Sequence, residues 1–292
     1  MTIHYESMKS LSEDQYNEVV RLLKNCEEHD KLEIASSINV SMISKADEPH
    51  LFFILAYDRA ELVGFVGLYT FVDVTKVEIA GMVSPAYRRK GIFSTLLEKA
   101  LTVCAERKVD EILFVCPEKS LEAKGLMKKL GAVYSFSEYT MEYDEGRNNK
   151  YNLESILLEK ATSSDVPTIT QLLLDGFGFG GDPKQVEPLL TRNITQEGYE
   201  VYIVKNDEKV FATLTISNEG ASMYISAFTV SFEERGKGYG KKILQAAVEL
   251  IRKNDRLKPI RLDVDVSNEN ALSLYEGVGF RTISGYDYYL NM

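Results

Sequence analysis

The chain has 292 residues, 45% hydrophobic and 27% charged side chains and a formal net charge of −10, the profile of a globular protein of about two domains. Residues 1–148 carry 18 basic against 24 acidic side chains, and the rest 16 against 20. Neither half therefore has the basic field that general binding to a nucleic-acid backbone requires.

No apolar run reaches the length of a membrane span, and the opening Met-Thr-Ile-His-Tyr-Glu lacks the basic and apolar regions of a secretory signal. Cys26, Cys104 and Cys116 are odd in number and have no metal-ligand spacing, which fits reduced thiols in a cytoplasmic protein and suggests no metal. Cys116 follows the apolar run Ile112–Val115 and reads as a buried thiol rather than a nucleophile. His4, His29 and His50 are scattered through the first half and are weak candidates for catalysis.

In chain order, Ser12–Lys24 has helical periodicity behind a Ser cap. Leu51–Tyr57 and Leu62–Thr70 read as a hairpin turning at Asp58-Arg59-Ala60-Glu61, and Thr75–Val83 as a third strand. Leu96, Leu97, Ala100, Leu101 and Cys104 mark a helix, Glu111–Cys116 a strand, and Glu118–Leu130 a helix stopped by Gly131. The polar stretch 144–150 has no periodicity and reads as a linker. The order then repeats. Ile156–Leu158 is a predicted strand, Ser164–Leu174 a helix, and Tyr199–Lys205 with Val210–Ile216 a hairpin around Asn206-Asp207-Glu208. Met223–Val230 is a strand, and Ile243, Leu244, Ala247, Val248 and Ile251 line one helix face. Ile260–Val266 is a strand, and Asn270–Val278 a helix ending at Gly279.

The repetition is sharpest in the loops. Residues 83–93 read Val-Ser-Pro-Ala-Tyr-Arg-Arg-Lys-Gly-Ile-Phe, and residues 230–240, 147 positions on, read Val-Ser-Phe-Glu-Glu-Arg-Gly-Lys-Gly-Tyr-Gly. A repeat of that length points to duplicated domains rather than a short-repeat array. A Gly-containing loop that opens a helix beside basic side chains is suited to a phosphate. Two nucleotide fingerprints fail on spacing. The dinucleotide motif needs a third Gly where Lys241 stands, and no pair fits the triphosphatase phosphate loop.

About 25 residues after the second loop comes Leu262-Asp263-Val264-Asp265-Val266-Ser267-Asn268, then Glu269-Asn270-Ala271-Leu272-Ser273-Leu274-Tyr275 and Gly277-Val278-Gly279-Phe280. With its Arg-x-x-Gly-x-Gly loop, this arrangement resembles the GNAT superfamily of acetyl-CoA-dependent N-acetyltransferases. The resemblance implies an α+β protein of two tandem domains, residues 1–146 and 152–292, each a mixed, mostly antiparallel sheet with flanking helices. It implies acetyl-CoA as co-substrate, no metal, and direct transfer to an amine without an acyl-enzyme.

Carried onto this sequence, the resemblance places Arg235, Gly236, Lys237, Gly238, Tyr239, Gly240 and Lys241 around the coenzyme pyrophosphate. Pantetheine would lie along Phe228 and Val230 like an added strand, where that strand splays from Arg261–Val266. Asn268 would hold the pantetheine arm, and the Tyr275 phenol would protonate the departing thiolate. Structural readings stand beside these: Tyr275 as a packing aromatic, Asn268 as a helix cap, and Lys241 and Lys242 as a solvated face. Asp263 and Asp265 are candidate proton acceptors, depending on which way their strand faces.

The first half matches less fully. Met82, Val83, Arg88, Arg89, Lys90, Gly91, Ile92, Phe93 and Ser94 occupy the equivalent coenzyme positions, with Phe93 where the family has Gly or Ala. Met127 falls where the second half has Tyr275. Glu78, five residues before Val83, is either a general base or an exposed strand carboxylate, and the sequence offset equates it with Ile225.

The expected activity is therefore N-acetyl transfer in the C-terminal domain to a small-molecule or peptide amine, with no nucleic-acid or membrane partner, by a monomer or homodimer. Catalysis in the first half with Glu78 as base, or a non-catalytic acyl-CoA sensor or scaffold, are the alternatives.

Overall fold

A computed structural model describes residues 2–43, 51–71, 73, 75–147, 156–177, 182–207 and 209–292. His50, Glu208, the end of the predicted linker (148–150) and the expected domain start at 152 lie outside the described residues. The chain runs β1 (Ile3–Met8), α1 (Glu13–Asp30), α2 (Ala35–Ile38), α3 (Val40–Ile43), β2 (Phe52–Asp58), β3 (Glu61–Tyr69) and β4 (Lys76–Val83). It continues through α4 (Ile92–Glu106), β5 (Glu111–Pro117), α5 (Leu121–Leu130), β6 (Val133–Tyr143), β7 (Glu159–Lys160), α6 (Val166–Phe177) and α7 (Pro183–Thr195). The last elements are β8 (Tyr199–Asn206), β9 (Lys209–Asn218), β10 (Met223–Val230), α8 (Tyr239–Asn254), β11 (Ile260–Asp265), α9 (Glu269–Val278) and β12 (Phe280–Leu290). The fold is α+β.

Two compact units form. Unit 1 is Met1–Glu138 with Ser284–Met292, and unit 2 is Tyr139–Ile283. They differ from the two continuous halves expected of the sequence, because β6 and β12 each give one part to each unit. Within unit 1 the strand order is β1-β2-β3-β4-β5-β12-β6, and within unit 2 it is β12-β6-β11-β10-β9-β8-β7. In both, antiparallel pairing gives way to one parallel pair, β4 with β5 and β10 with β11.

Local chemistry sets the element ends. The Ser12 side chain accepts from Gln15 N while the Gln15 side chain accepts from Ser12 N, a capping box. Helix α1 then runs past the expected end at Lys24, to a left-handed cap at Lys31. Helices α5 and α9 stop at Gly131 and Gly279, both at positive φ. The predicted strand at Ile156–Leu158 is irregular, and the ladder begins instead at Glu159.

Alternation along the central strands gives each unit two buried layers. In unit 1, Val77, Ile79 and Val83 of β4 join Ile92, Leu96, Leu97 and Ala100 of α4. Ala80 and Met82 join Val19, Leu22, Leu23 and Cys26 of α1. In unit 2, Ala212, Leu214 and Ile216 of β9 and Ile225 of β10 pack with Ile243, Leu244, Ala247 and Val248 of α8. The opposite face, towards α6, carries buried Thr213, Thr215 and Ser217.

Candidate active site

In unit 2 the parallel pairs between β10 and β11 are Met223 with Ile260 and Tyr224 with Arg261. Just beyond, the β9–β10 register shifts between Ser226 and Thr229, and Ala227 takes φ +50°. An extra residue inserted this way bends and twists the strand, just past the point where its pairing with β11 ends. Unit 1 has the same parallel pairing, from Lys76–Glu111 to Ile79–Phe114, but its β3–β4 ladder runs from Gly64–Val83 to Tyr69–Glu78 without a shift. The bulge corrects the expected correspondence of Glu78 with Ile225. Counted by ladder position, Glu78 (opposite Tyr69) matches Tyr224 (opposite Ser217). Ile225 instead faces the α8 core.

The loop after β10 is built from backbone. Gly236 and Gly238 sit at φ +75° and +84°, and Gly238 caps α8 without any side-chain hydrogen bond. The α8 ladder starts with Lys242 N donating to Gly238 O, so the amides of Tyr239, Gly240 and Lys241 point out of the first turn, at the positive end of the helix dipole. Arg235 Nε donates to Val230 O at 2.9 Å, and its guanidinium lies 4.1 Å from the Phe232 ring centroid. A Cβ on Gly240 would come within 3.2 Å of Leu274, so glycine lets α8 approach α9. The Tyr239 ring turns inward against Phe211 at 4.8 Å, leaving its amide as the outward group. Lys237 pairs with Glu234 at 3.1 Å, and the Lys241 ammonium reaches towards Gly277 of α9. This cradle of exposed glycines and amides fits a pyrophosphate.

Tyr275 lies four residues before the α9 C-cap, half-buried among the side chains beneath α8 and α9, its ring 6.3 Å from Phe280. Burial pushes its phenol up to about 12. Its hydroxyl makes no hydrogen bond to protein among the described residues. Asn268 caps α9, Oδ1 accepting from Ala271 N at 3.1 Å. Asp265 accepts from both Ser267 N and Oγ at 2.7 Å, a local turn. Asp263 accepts from Thr140 Oγ at 2.7 Å. Both carboxylates are on the β11 face opposite Leu262 and Val264, hence away from α8. A pocket opens beside the end of β10, lined by Leu172, Asp175, Gly176, Val230, Ser231 and Arg235.

Unit 1 handles the equivalent positions differently. Arg88 Nε donates to Val83 O at 3.0 Å, as Arg235 does to Val230, but its two terminal nitrogens bond Asp30 of α1 at 2.7 and 2.6 Å. Those bonds hold the Asp30 carboxyl below its ordinary range. Arg89 adopts φ +62° where unit 2 has Gly236, and Gly91 caps α4 at +82°. Lys90 bonds back to Ala86 O. Met82, Val83 and Ile92 are buried, while Ser94 is exposed. The Phe93 ring lies over β4, with Cε2 3.1 Å from where a Cβ on Gly81 would be. Met127 occupies the same cap position in α5 that Tyr275 has in α9. Glu78 shares the α1 face with Ala80 and Met82, and its charge helps to raise the buried phenols of Tyr69 and Tyr288.

The remaining sequence candidates are not poised for chemistry. Cys26, Cys104 and Cys116 are buried, free thiols, and burial pushes Cys104 up to about 11 and Cys116 up to about 12. His29 is largely exposed beside Asp30 and His4 beside Glu6. Among the described residues no group of His, Cys, Asp and Glu is arranged to hold a metal, and no helix is long and apolar enough to cross a membrane.

Known proteins share parts of this sequence and this fold. Over 69 residues the chain is 41% identical to N-alpha-acetyltransferase 30 of Schizosaccharomyces pombe, covering 23% of this chain and 45% of that protein. It is 38% identical to N-alpha-acetyltransferase 30 of Saccharomyces cerevisiae, covering 39% of that protein. The chain thus spans less than half the length of these relatives. A tandem GNAT protein from the clavulanic acid biosynthesis pathway superposes with a TM-score of 0.76 at 13% identity, covering 99% of this chain and 98% of the other. A GCN5-related N-acetyltransferase from Sphaerobacter thermophilus gives 0.73 at 14% identity, covering 98% and 95%. The model of the Acetyltransferase (GNAT) family matches twice, over residues 12–132 and 166–280, and the chain belongs to that family, with two copies in tandem.

Proposed function

We propose that this protein transfers an acetyl group from acetyl-CoA to an amine by direct attack, with the chemistry in unit 2. The observation that carries the proposal is that unit 2 combines three features that unit 1 lacks together. These are the bulged, splayed strand, the two-glycine loop with outward amides, and the Tyr275 phenol. Unit 1 has an unbroken ladder, an arginine engaged by Asp30, and Met127 in place of the phenol.

In this reading the amides of Tyr239 to Lys241 bind the pyrophosphate, and the backbone of Phe228 and Val230 aligns pantetheine. The amide nitrogen of Asn268 contacts the same arm, its oxygen being used by the cap. Tyr275 donates a proton to the leaving thiolate, and backbone N–H groups at the bulge stabilise the oxyanion. Phe93 and the Arg88–Asp30 pair exclude a second coenzyme from unit 1, so that unit supports the active one. The matches to N-alpha-acetyltransferases make a peptide α-amine the first acceptor class to test.

Purified protein, acetyl-CoA and a panel of free-amine peptides, spermidine and glucosamine should release coenzyme A thiol with at least one amine. Release in wild type that is lost in Gly238→Ala supports the reading. Coenzyme binding without thiol release on any amine would favour a non-catalytic acyl-CoA sensor.

A further inference from the structure

Resting on the proposed transfer in unit 2, we infer that Asp263 is the general base and that Thr140, a buried residue of β6, is its positioning residue. The last parallel pair before the strands part is Tyr224 with Arg261. Two residues further along each strand, on the same face, come Ser226 and Asp263, so the carboxylate stands at the opening across from the bulge. That face is turned away from α8, whereas the Tyr275 ring belongs to the layer beneath α8 and α9. Acid and base therefore occupy opposite faces of the opening. An amine on the Asp263 side can add to the thioester carbonyl there, and the thiolate expelled as the tetrahedral intermediate collapses is protonated from the Tyr275 side.

The setting of Asp263 favours it over the other charged groups nearby. Asp265 spends its Oδ1 on the Ser267 turn. Arg261 is paired with Glu142 at 3.0 Å, and Arg281 lies between the same Glu142 at 3.6 Å and Asp144 at 3.7 Å, two cations against two carboxylates. Among the described residues, Tyr224 on β10 shares this face near the opening, and Asp175 of α6 lines the pocket beside the end of β10. Thr140 is fully buried and fixes the carboxylate through one oxygen at 2.7 Å. In unit 1 the ladder position of Asp263 is held by the buried, apolar Val115.

The step balances without an outside reactant. The amine nitrogen forms a C–N bond to the acetyl carbon, its proton passes to the Asp263 carboxylate, and the C–S bond breaks. The thiolate takes the Tyr275 proton, and exchange with water returns Asp263 to carboxylate and Tyr275 to phenol.

The test measures thiol release between pH 5 and 9 on the amine panel, together with acetyl-CoA affinity by calorimetry. Asp263→Asn should lower kcat by about 10²–10³ with coenzyme affinity unchanged, while Asp263→Glu retains part of the rate. Thr140→Val should move the acid limb of kcat to higher pH, because a carboxylate that loses a donor binds its proton more tightly. Thr140→Ser should restore the wild-type profile. Asp263→Asn within threefold of wild type, or Thr140→Val slowing turnover with an unmoved acid limb, overturns the assignment while leaving the proposed transfer intact. Wild type releasing no thiol with any amine overturns the transfer and the base together.

Discussion

Tyr275 is held neutral over the whole working range of pH. With its phenol pushed up to about 12 by burial, it should remain a proton donor at pH 9, and kcat should show no basic limb from this group between pH 5 and 9. Tyr275→Phe keeps the ring and the contact with Phe280 but removes the donor. It should lower kcat by roughly 10- to 100-fold with acetyl-CoA affinity unchanged, as stopped assays alongside calorimetry will show. Full turnover in the Phe variant would return Tyr275 to a packing role. The Asn268 side chain, by contrast, already has a structural task as the α9 cap. Its replacement by Ala should cost about 1 kcal/mol of stability whatever its contact with coenzyme.

At the scale of elements, glycines and ion pairs decide what each loop can hold. Gly238→Ala forces a side chain into φ +84°, a strain of about 1 kcal/mol, in the backbone proposed to face the phosphate. Acetyl-CoA should then raise the melting temperature less than it does in wild type. Gly176→Ala places a Cβ onto Thr229 Oγ, lifting the end of α6 from β10, and should destabilise unit 2 by about 1–3 kcal/mol in urea unfolding. In unit 1 the Arg88 bonds lower the Asp30 carboxyl below its ordinary 3.8. This stabilisation is fully present above that value and is lost as pH falls through the lowered one. The stability gap between wild type and Asp30→Asn should accordingly be widest near neutrality and close on acidification towards pH 3. The loops, their helices and the flanking strands were legible in the sequence because Gly, Arg and apolar residues recur at matching offsets. The bulge was not, since an inserted residue changes the face of every side chain before it while the offset still counts evenly. That is why an even count equates Glu78 with Ile225. Helix α7 went unread because Pro188 interrupts its pattern. The strands β6 and β12 went unread because their polar and aromatic residues mix without a clean alternation.

At the scale of the whole chain, the division of strands outweighs the order of residues. Residues 284–292 bring unit 1 Tyr288, stacked on Phe136 at 4.2 Å and bonded to Glu138, and buried Asp287, which accepts from Ser137 and pairs with Lys124. Deleting them should cost unit 1 on the order of 5 kcal/mol, a large share of a typical domain's stability. Hydrogen exchange in α1 and β2 should accelerate, although the cut is more than 200 residues away in sequence. Native mass spectrometry of the intact protein should find one acetyl-CoA per chain, and two would overturn the exclusion proposed for Phe93. Membership of β12 in unit 1 also reverses the usual timetable of synthesis. A ribosome that has released residues 1–138 has made nearly all of unit 1, yet that unit must wait, with one strand place unfilled, until the segment after residue 283 emerges. Chains stalled near residue 200 should leave unit 1 open to proteolysis, and release of the full chain should close it.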